Sequence, residues 1–214
     1  QARMMALARS LGWLTPAQEQ AEFVHLLAER MARGSLGKNE VDLVCSGQHA
    51  EPSVALQVLA SGAVRLNNVA HSAVLACLGH APGHERSVRA LTSPNEADVA
   101  MAQAYLRQRP LADVAELRSV ASGIGRMTAA PAQLRALETL ARQRLADPQS
   151  LQAIAGLFPL ARSLEAQRAI AGILIRADLQ LLARADLART LRQHRLKSPD
   201  GSDLIDVLIR LLAA

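Results

Sequence analysis

The sequence predicts an all-α protein: a right-handed α-solenoid of stacked helical hairpins, with an irregular N-terminal part and a C-terminal cap. Three observations predict it. Segments of the chain recur with a period of about 34 residues, at which each unit buries its apolar face against its neighbours. Half of the 214 residues are apolar while aromatics make up 2%. The core must therefore be built from Ala, Leu, Val and Ile; Ala and Leu are strong helix formers, and small Ala lets helices pack closely. No run alternates β-branched residues in the period of two that a half-buried strand requires.

Helix boundaries follow from Pro, Gly and N-cap residues. Residues 2–12, with Met4, Met5, Leu7 and Leu11, form a first predicted helix. Thr15-Pro16 opens the second, since Thr caps and Pro is tolerated at the first helical position; Gly34 ends it. Short helices follow over 39–45, 52–64, 68–78 and 84–91, with Gly79 and Pro82-Gly83 expected to break the last two apart.

The regular part comes next. Glu96–Arg107, Pro131–Arg142 and Glu165–Arg176 align when their closing arginines are superposed. Their matched positions are Ala97/Ala132/Ala166, Met101/Ala136/Ile170 and Tyr105/Leu140/Leu174, which recur once per helical turn and are expected to form one buried face. The partner helices, Leu117–Ile124 and Leu151–Phe158, match at 117/151, 120/154, 121/155 and 124/158, the i, i+3, i+4, i+7 spacing of a second buried face. Each unit thus reads as a helical hairpin. The whole chain, 1–214, is expected to be a single array. Its clearest repeats span 84–178, and atypical capping helices fill 179–214: a polar helix over 186–196, a turn over 198–202 and a last helix over 203–212.

These segments, with the stretch Ser93-Pro-Asn-Glu-Ala-Asp-Val-Ala-Met-Ala-Gln-Ala-Tyr-Leu106, resemble HEAT repeats, more closely the short HEAT-like repeats of bacteria. The resemblance covers about 84–178. It implies the solenoid fold and a surface that serves another macromolecule. One departure stands out: where many HEAT units carry a basic residue early in the second helix, this chain has Ala100, Arg135 and Ala169, so the usual side-chain ladder is incomplete. The tetratricopeptide repeat shares the same period. It relies on large aromatic knobs, and of the positions concerned only Tyr105 supplies one; Leu140 and Leu174 do not.

The net charge is +5, and Lys38 and Lys197 are the only lysines among 24 basic residues. A charge of this size permits nucleic-acid binding without requiring it. Recurrent arginine is the sharper feature. Arg107, Arg142 and Arg176 are read at one repeat position, Arg109 and Arg144 at another. One reading is an anion- or partner-binding ladder along an edge of the array. The preferred reading is that each arginine ends a helix, where a cation complements the helix dipole and its last carbonyls.

No catalytic constellation emerges, and no cofactor site. Ser122-Gly-Ile-Gly-Arg126 lacks the Lys-Ser/Thr ending of a phosphate loop. Pro199-Asp-Gly-Ser-Asp203 lacks the spacing and final Glu of a calcium loop, and Asp200 or Ser202 reads as a helix N-cap. Two cysteines, Cys45 and Cys77, are too few for a disulfide framework. Cys45 and His49, with Cys77, His80 and His84, offer a tetrahedral zinc set, but the preferred reading of Cys77 is a small buried core residue. The longest uncharged run, over 66–84, contains Asn67, Asn68, His71, Ser72 and His80 and is too polar to span a membrane. The chain begins at Gln1, which reads as a processed product or a cut piece. The compartment stays open, with the cytoplasm as default and an exported chain compatible.

The expected function is a non-catalytic scaffold or adaptor that binds another protein. The first alternative is a basic-groove nucleic-acid binder, because some HEAT-like arrays are DNA glycosylases; scarce aromatics provide poorly for base stacking. The second is an accessory factor of the chromophore-lyase type, in which HEAT-like repeats also occur.

Overall fold

The computed structural model describes residues 4, 7–8, 10–13, 15–46, 68–111 and 113–214, and among these every regular element is helical. The predicted helix over 2–12 lies mostly outside the described residues, and the one over 52–64 wholly so. Many of the described helices start where a side chain accepts an orphan N–H group of the first turn. Thr15 caps α1 (Pro16–Ala32) through a capping box with Gln18, and Gly34, at φ +66°, releases the chain from it. In α2 (Lys38–Cys45) the Glu40 carboxylate accepts the Gly37 N–H at 2.9 Å. The same carboxylate pairs with Arg30 of α1. Asn68 caps α3 (Val69–Cys77), accepting from the N–H groups of Ala70 and His71.

The chain divides into two compact units, Gln1–Ser87 and Val88–Ala214. In the first, α2 packs on α3, and every residue from Val69 to Leu75 is buried. The structure differs from expectation at two points. Pro82 and Gly83 do not break the helices apart: both lie in the first turn of α4 (Ala81–Arg89), where proline lacks no hydrogen bond. Gly79, at φ +96°, makes the break. Gly83 instead allows close approach, since a Cβ there would fall 2.5 Å from the Ser72 carbonyl oxygen. The cysteines are the second. Cys45 and Cys77 are joined in a disulfide that ties the end of α2 to the end of α3, Cα to Cα 5.1 Å. Their wide separation in sequence offers no local cue, because it is the packing of two helices that brings the sulfurs together.

The second unit runs η1 (Ala90–Thr92), α5 (Glu96–Gln108), α6 (Val114–Arg126), α7 (Ala130–Leu140), α8 (Pro148–Ala155), η2 (Phe158–Leu160), α9 (Leu164–Ile175), η3 (Leu179–Leu181), α10 (Arg184–His194) and α11 (Leu204–Ala213). Within it α5 packs on α7, α7 on α9, and α9 on α11. The intervening elements do the same: η1 on α6, α6 on α8, and η2 on α10. The core lies among these helices. Leu106, Ile124, Leu137, Leu140, Leu151, Ile154, Phe158, Ile170, Leu174 and Leu191 are all under 2% exposed. Each buried Leu or Ile of this kind contributes about 1.5–3 kcal/mol of transfer free energy. The expected faces of α6 and α8 are present: Leu117, Val120, Ala121 and Ile124 on one, Leu151, Ile154 and Phe158 on the other, with Ala155 half-buried.

The register of the first repeat differs from the expected one. Ala97 is exposed and Met101 half-buried, whereas Val99, Ala102, Tyr105 and Leu106 are buried. The N-cap residues Asn95, Ala129 and Ser163 are evenly spaced along the chain. Counted from these caps, the equivalent buried positions are Val99/Gln133/Gln167, Ala102/Ala136/Ile170, Tyr105/Thr139/Ile173 and Leu106/Leu140/Leu174. Alignment on Arg107 shifts the first segment by one position; burial follows the helix cap and the apolar stripe, not the arginine.

The C-terminal elements sit close to expectation, with one change. Asp203, not Asp200 or Ser202, is the N-cap of α11. Asp200 organises the turn before it, accepting from the N–H groups of Ser202 and Asp203 at 3.0 Å each. Arg195, at the end of α10, pairs with Asp206 at 2.6 Å, both side chains 9% exposed. Arg168 of α9 reaches Asp203 at 2.7 Å. Arg184 donates to the Leu212 carbonyl, so the first residue of α10 closes the last turn of α11.

Candidate partner-binding surface

Four of the five ladder arginines lie at helix ends, and Arg144 does not. Arg107 lies in the last turn of α5, Arg109 is its C-cap residue, Arg142 follows the C-cap of α7, and Arg176 is the C-cap of α9. Arg144 lies in the loop before α8. Arg109 is half-buried; the other four are exposed, and those four have no ion-pair partner among the described residues. Two of the five come together: Arg107 and Arg142 line a hollow of about 130 Å³ with Gln103, Thr139 and Gln143. Arg109, Arg144 and Arg176 are not part of it. Counted from the helix caps, Arg142 and Arg176 are equivalent, and Gln108 holds the corresponding place in α5.

A larger groove of about 800 Å³ runs between α6 and α8. Arg118, Ser122 and Arg126 form its α6 wall and recur once per helical turn, so they stack on one helix face. Gln149 and Gln152 form the α8 wall. Ala121, Gly125, Ala153 and Leu157 lie along the floor, and Leu160, 48% exposed, stands at one end. Among the described residues no carboxylate lines it. The Arg126 guanidinium donates to the Ser122 hydroxyl at 2.9 Å, which holds that arginine along the wall. Small residues keep the floor deep: a Cβ on Gly125 would meet the Leu160 side chain at 2.8 Å.

No sequence motif marks this groove, although a weaker signal exists. One period further on, Arg118, Ser122 and Arg126 correspond to Gln152, Gly156 and Leu160, a stripe largely of polar or small residues opposite the buried one. The buried glutamines Gln133 and Gln167 also escape a search for apolar faces. They interrupt those faces at equivalent positions, and an amide there needs backbone partners.

The zinc set does not assemble. Both sulfurs are bonded to each other, leaving no thiolate for a metal. His80 Nδ1 accepts the Gly83 N–H at 3.2 Å as a local turn contact, and His49 lies outside the described residues. Ser122–Arg126 is helical and part of α6, so it forms no phosphate-cradling loop. Among the described residues no helix is long and apolar enough to cross a membrane. Compared with known proteins, the chain matches no family model, no curated protein and no solved structure.

Proposed function

We propose that this chain is a non-catalytic scaffold: a HEAT-like solenoid of helical hairpins that binds another protein. The observation that supports the reading is the pairwise packing of α5 on α7, α7 on α9 and α9 on α11, with η1 on α6, α6 on α8 and η2 on α10. The helix caps of α5, α7 and α9 keep an even spacing. Units that contact only their neighbours leave long continuous faces, which suit extended partners. The α6–α8 groove supplies such a face with polar walls. A single array over 1–214 and a right-handed twist belong to this proposal.

The disulfide adds a compartment. Stable disulfides persist where the surroundings are oxidising, so the Cys45–Cys77 pair favours an exported chain over a cytoplasmic one.

Two experiments test the reading. Deleting residues 130–163 removes one period and joins Ala129 to Leu164, so that Ala129 takes the N-cap position that Ser163 held before α9. A repeat array should survive this as a shorter, cooperatively unfolding helical protein; loss of helix by circular dichroism would count against it. Cross-linking in the source cell, followed by mass spectrometry, should place a protein partner on the second unit. Recovery of nucleic acid at physiological salt instead would favour the DNA-binding alternative.

A further inference from the structure

The groove between α6 and α8 has a definite chemistry, and we infer that it receives an acidic peptide segment of a partner protein. The inference rests on the scaffold reading and adds the partner's chemical class. Charge complementarity carries it. Arg118 and Arg126 line one wall, both are exposed, and among the described residues no carboxylate lines the groove to neutralise them. A guanidinium without an acidic neighbour is matched by a carboxylate, which it binds with a planar fork of N–H donors.

The spacing sets the segment's pattern. Arg118 and Arg126 are two helical turns apart, about 12 Å along α6. An extended chain covers that distance in about four residues, so acidic side chains in the i, i+4 relation reach both. Gln149 and Gln152 on the opposite wall carry amides that donate to and accept from a peptide backbone. Ala121, Gly125 and Ala153 leave room for that backbone to come close. The half-exposed Leu160, lying over Gly125, offers an apolar contact at one end. A Leu-sized residue beside the acidic pair fits it.

Nucleic acid fits less well. Two guanidinium groups neutralise few phosphates. The described groove has no aromatic side chain on which a base would stack.

The test uses the intact, oxidised chain and fluorescence anisotropy. Probes are a short labelled peptide rich in Glu and Leu, the same peptide with Gln in place of Glu, and a labelled DNA duplex. We expect the acidic peptide to bind at physiological salt and the Gln peptide to bind at least about tenfold more weakly. The double variant Arg118→Gln/Arg126→Gln should lose about tenfold in affinity. The triple variant Arg107→Gln/Arg142→Gln/Arg176→Gln should bind as the parent does. A second variant, Gln149→Glu/Gln152→Glu, places negative charge on the exposed opposite wall and should repel the acidic peptide with unchanged circular dichroism. Equal binding of the Glu and Gln peptides would overturn the proposal. So would unchanged affinity in the double variant, tighter binding of the duplex, or no acidic-peptide binding up to about 1 mM. None of these outcomes touches the scaffold reading, which stands or falls on the repeat deletion and the cross-link map.

Discussion

Gln133 of α7 and Gln167 of α9, one sequence period apart, hold corresponding backbone groups further along the chain. Gln133 donates to the Leu160 carbonyl at 3.0 Å and accepts the Arg162 N–H at 2.7 Å. Gln167 donates to the His194 carbonyl at 2.7 Å and accepts the Leu196 N–H at 2.9 Å. The two pairs of backbone groups are themselves one period apart. Gln133 also donates to the Ile124 carbonyl near the end of α6. Both glutamines are 1% exposed, so the bonds form away from water, where an unmet backbone group is costly. They staple α7 and α9 to the backbone segments that follow them.

Replacing either staple with Met keeps the volume and removes the bonds. Gln133→Met and Gln167→Met should each cost about 2–3 kcal/mol, because buried carbonyl and N–H groups lose their partners. Gln149→Met, on an exposed position, serves as the control. Urea unfolding of the three variants measures this. A Gln167→Met as stable as the parent would show that the staple contributes nothing net.

The register set by the helix caps makes Leu106, Leu140 and Leu174 equivalent, each 1% exposed or less. Leu106→Ala and Leu174→Ala should each cost about 2–5 kcal/mol. Met101→Ala, at a half-buried site, should cost less than either. Alignment of Arg107 with Arg142 would instead make Met101 the costly position, so the comparison separates the two registers.

Reduction should weaken the first unit. The disulfide joins cysteines at a sequence separation of 32, and for a loop of that size the chain-entropy account gives about 3–4 kcal/mol. Thermal unfolding with and without a reductant, and of the double variant Cys45→Ser/Cys77→Ser, reads the effect. Equal melting in both conditions would mean that the remaining packing holds α2 and α3 together unaided.

Acid should loosen α11 first. The ion pair with Arg195 holds the Asp206 carboxyl below its ordinary value. Lys197 and the N–H groups of Ser202 and Asp203 hold Asp200 well below the usual carboxylate range. Burial pushes Asp203 up, but the Ile205 N–H and Arg168 outweigh it and its net shift is downward. A carboxyl with a lowered folded pKa contributes stability that is present above its unfolded value, about 4, and lost as pH falls through the folded one. Protection from hydrogen exchange across α11, taken relative to the intrinsic exchange rate at each pH, should therefore be steady above about pH 4 and fall below it. Asp206→Asn, which leaves the Arg195 charge buried, should cost about 3 kcal/mol at neutral pH.

The arginine ladder should not grip DNA. Replacing Arg107, Arg142 and Arg176 together with Gln should change the melting temperature slightly. Duplex binding should be weak and vanish near physiological salt, since each phosphate neutralised lowers the logarithm of affinity by about 0.9 per tenfold rise in salt. Tight duplex binding at that salt, abolished in the triple variant, would make nucleic acid the partner.

Helix content and the apolar faces of α6, α7, α8 and α9 are legible in the sequence, because caps, Pro, Gly and the helical apolar stripe are local signals. Leu140, Ile154, Phe158 and Leu174 are core for that reason. Three features are settled by tertiary structure. The register of α5 depends on which side chains face α7, and a matching arginine outside the buried stripe points to the wrong alignment. The Cys45–Cys77 bond depends on α2 meeting α3. The α6–α8 groove exists only between two packed helices, so neither wall shows its role in isolation. Local sequence specifies a helix and its wet and dry sides. Which side chains meet across helices is decided when those sides are pressed together.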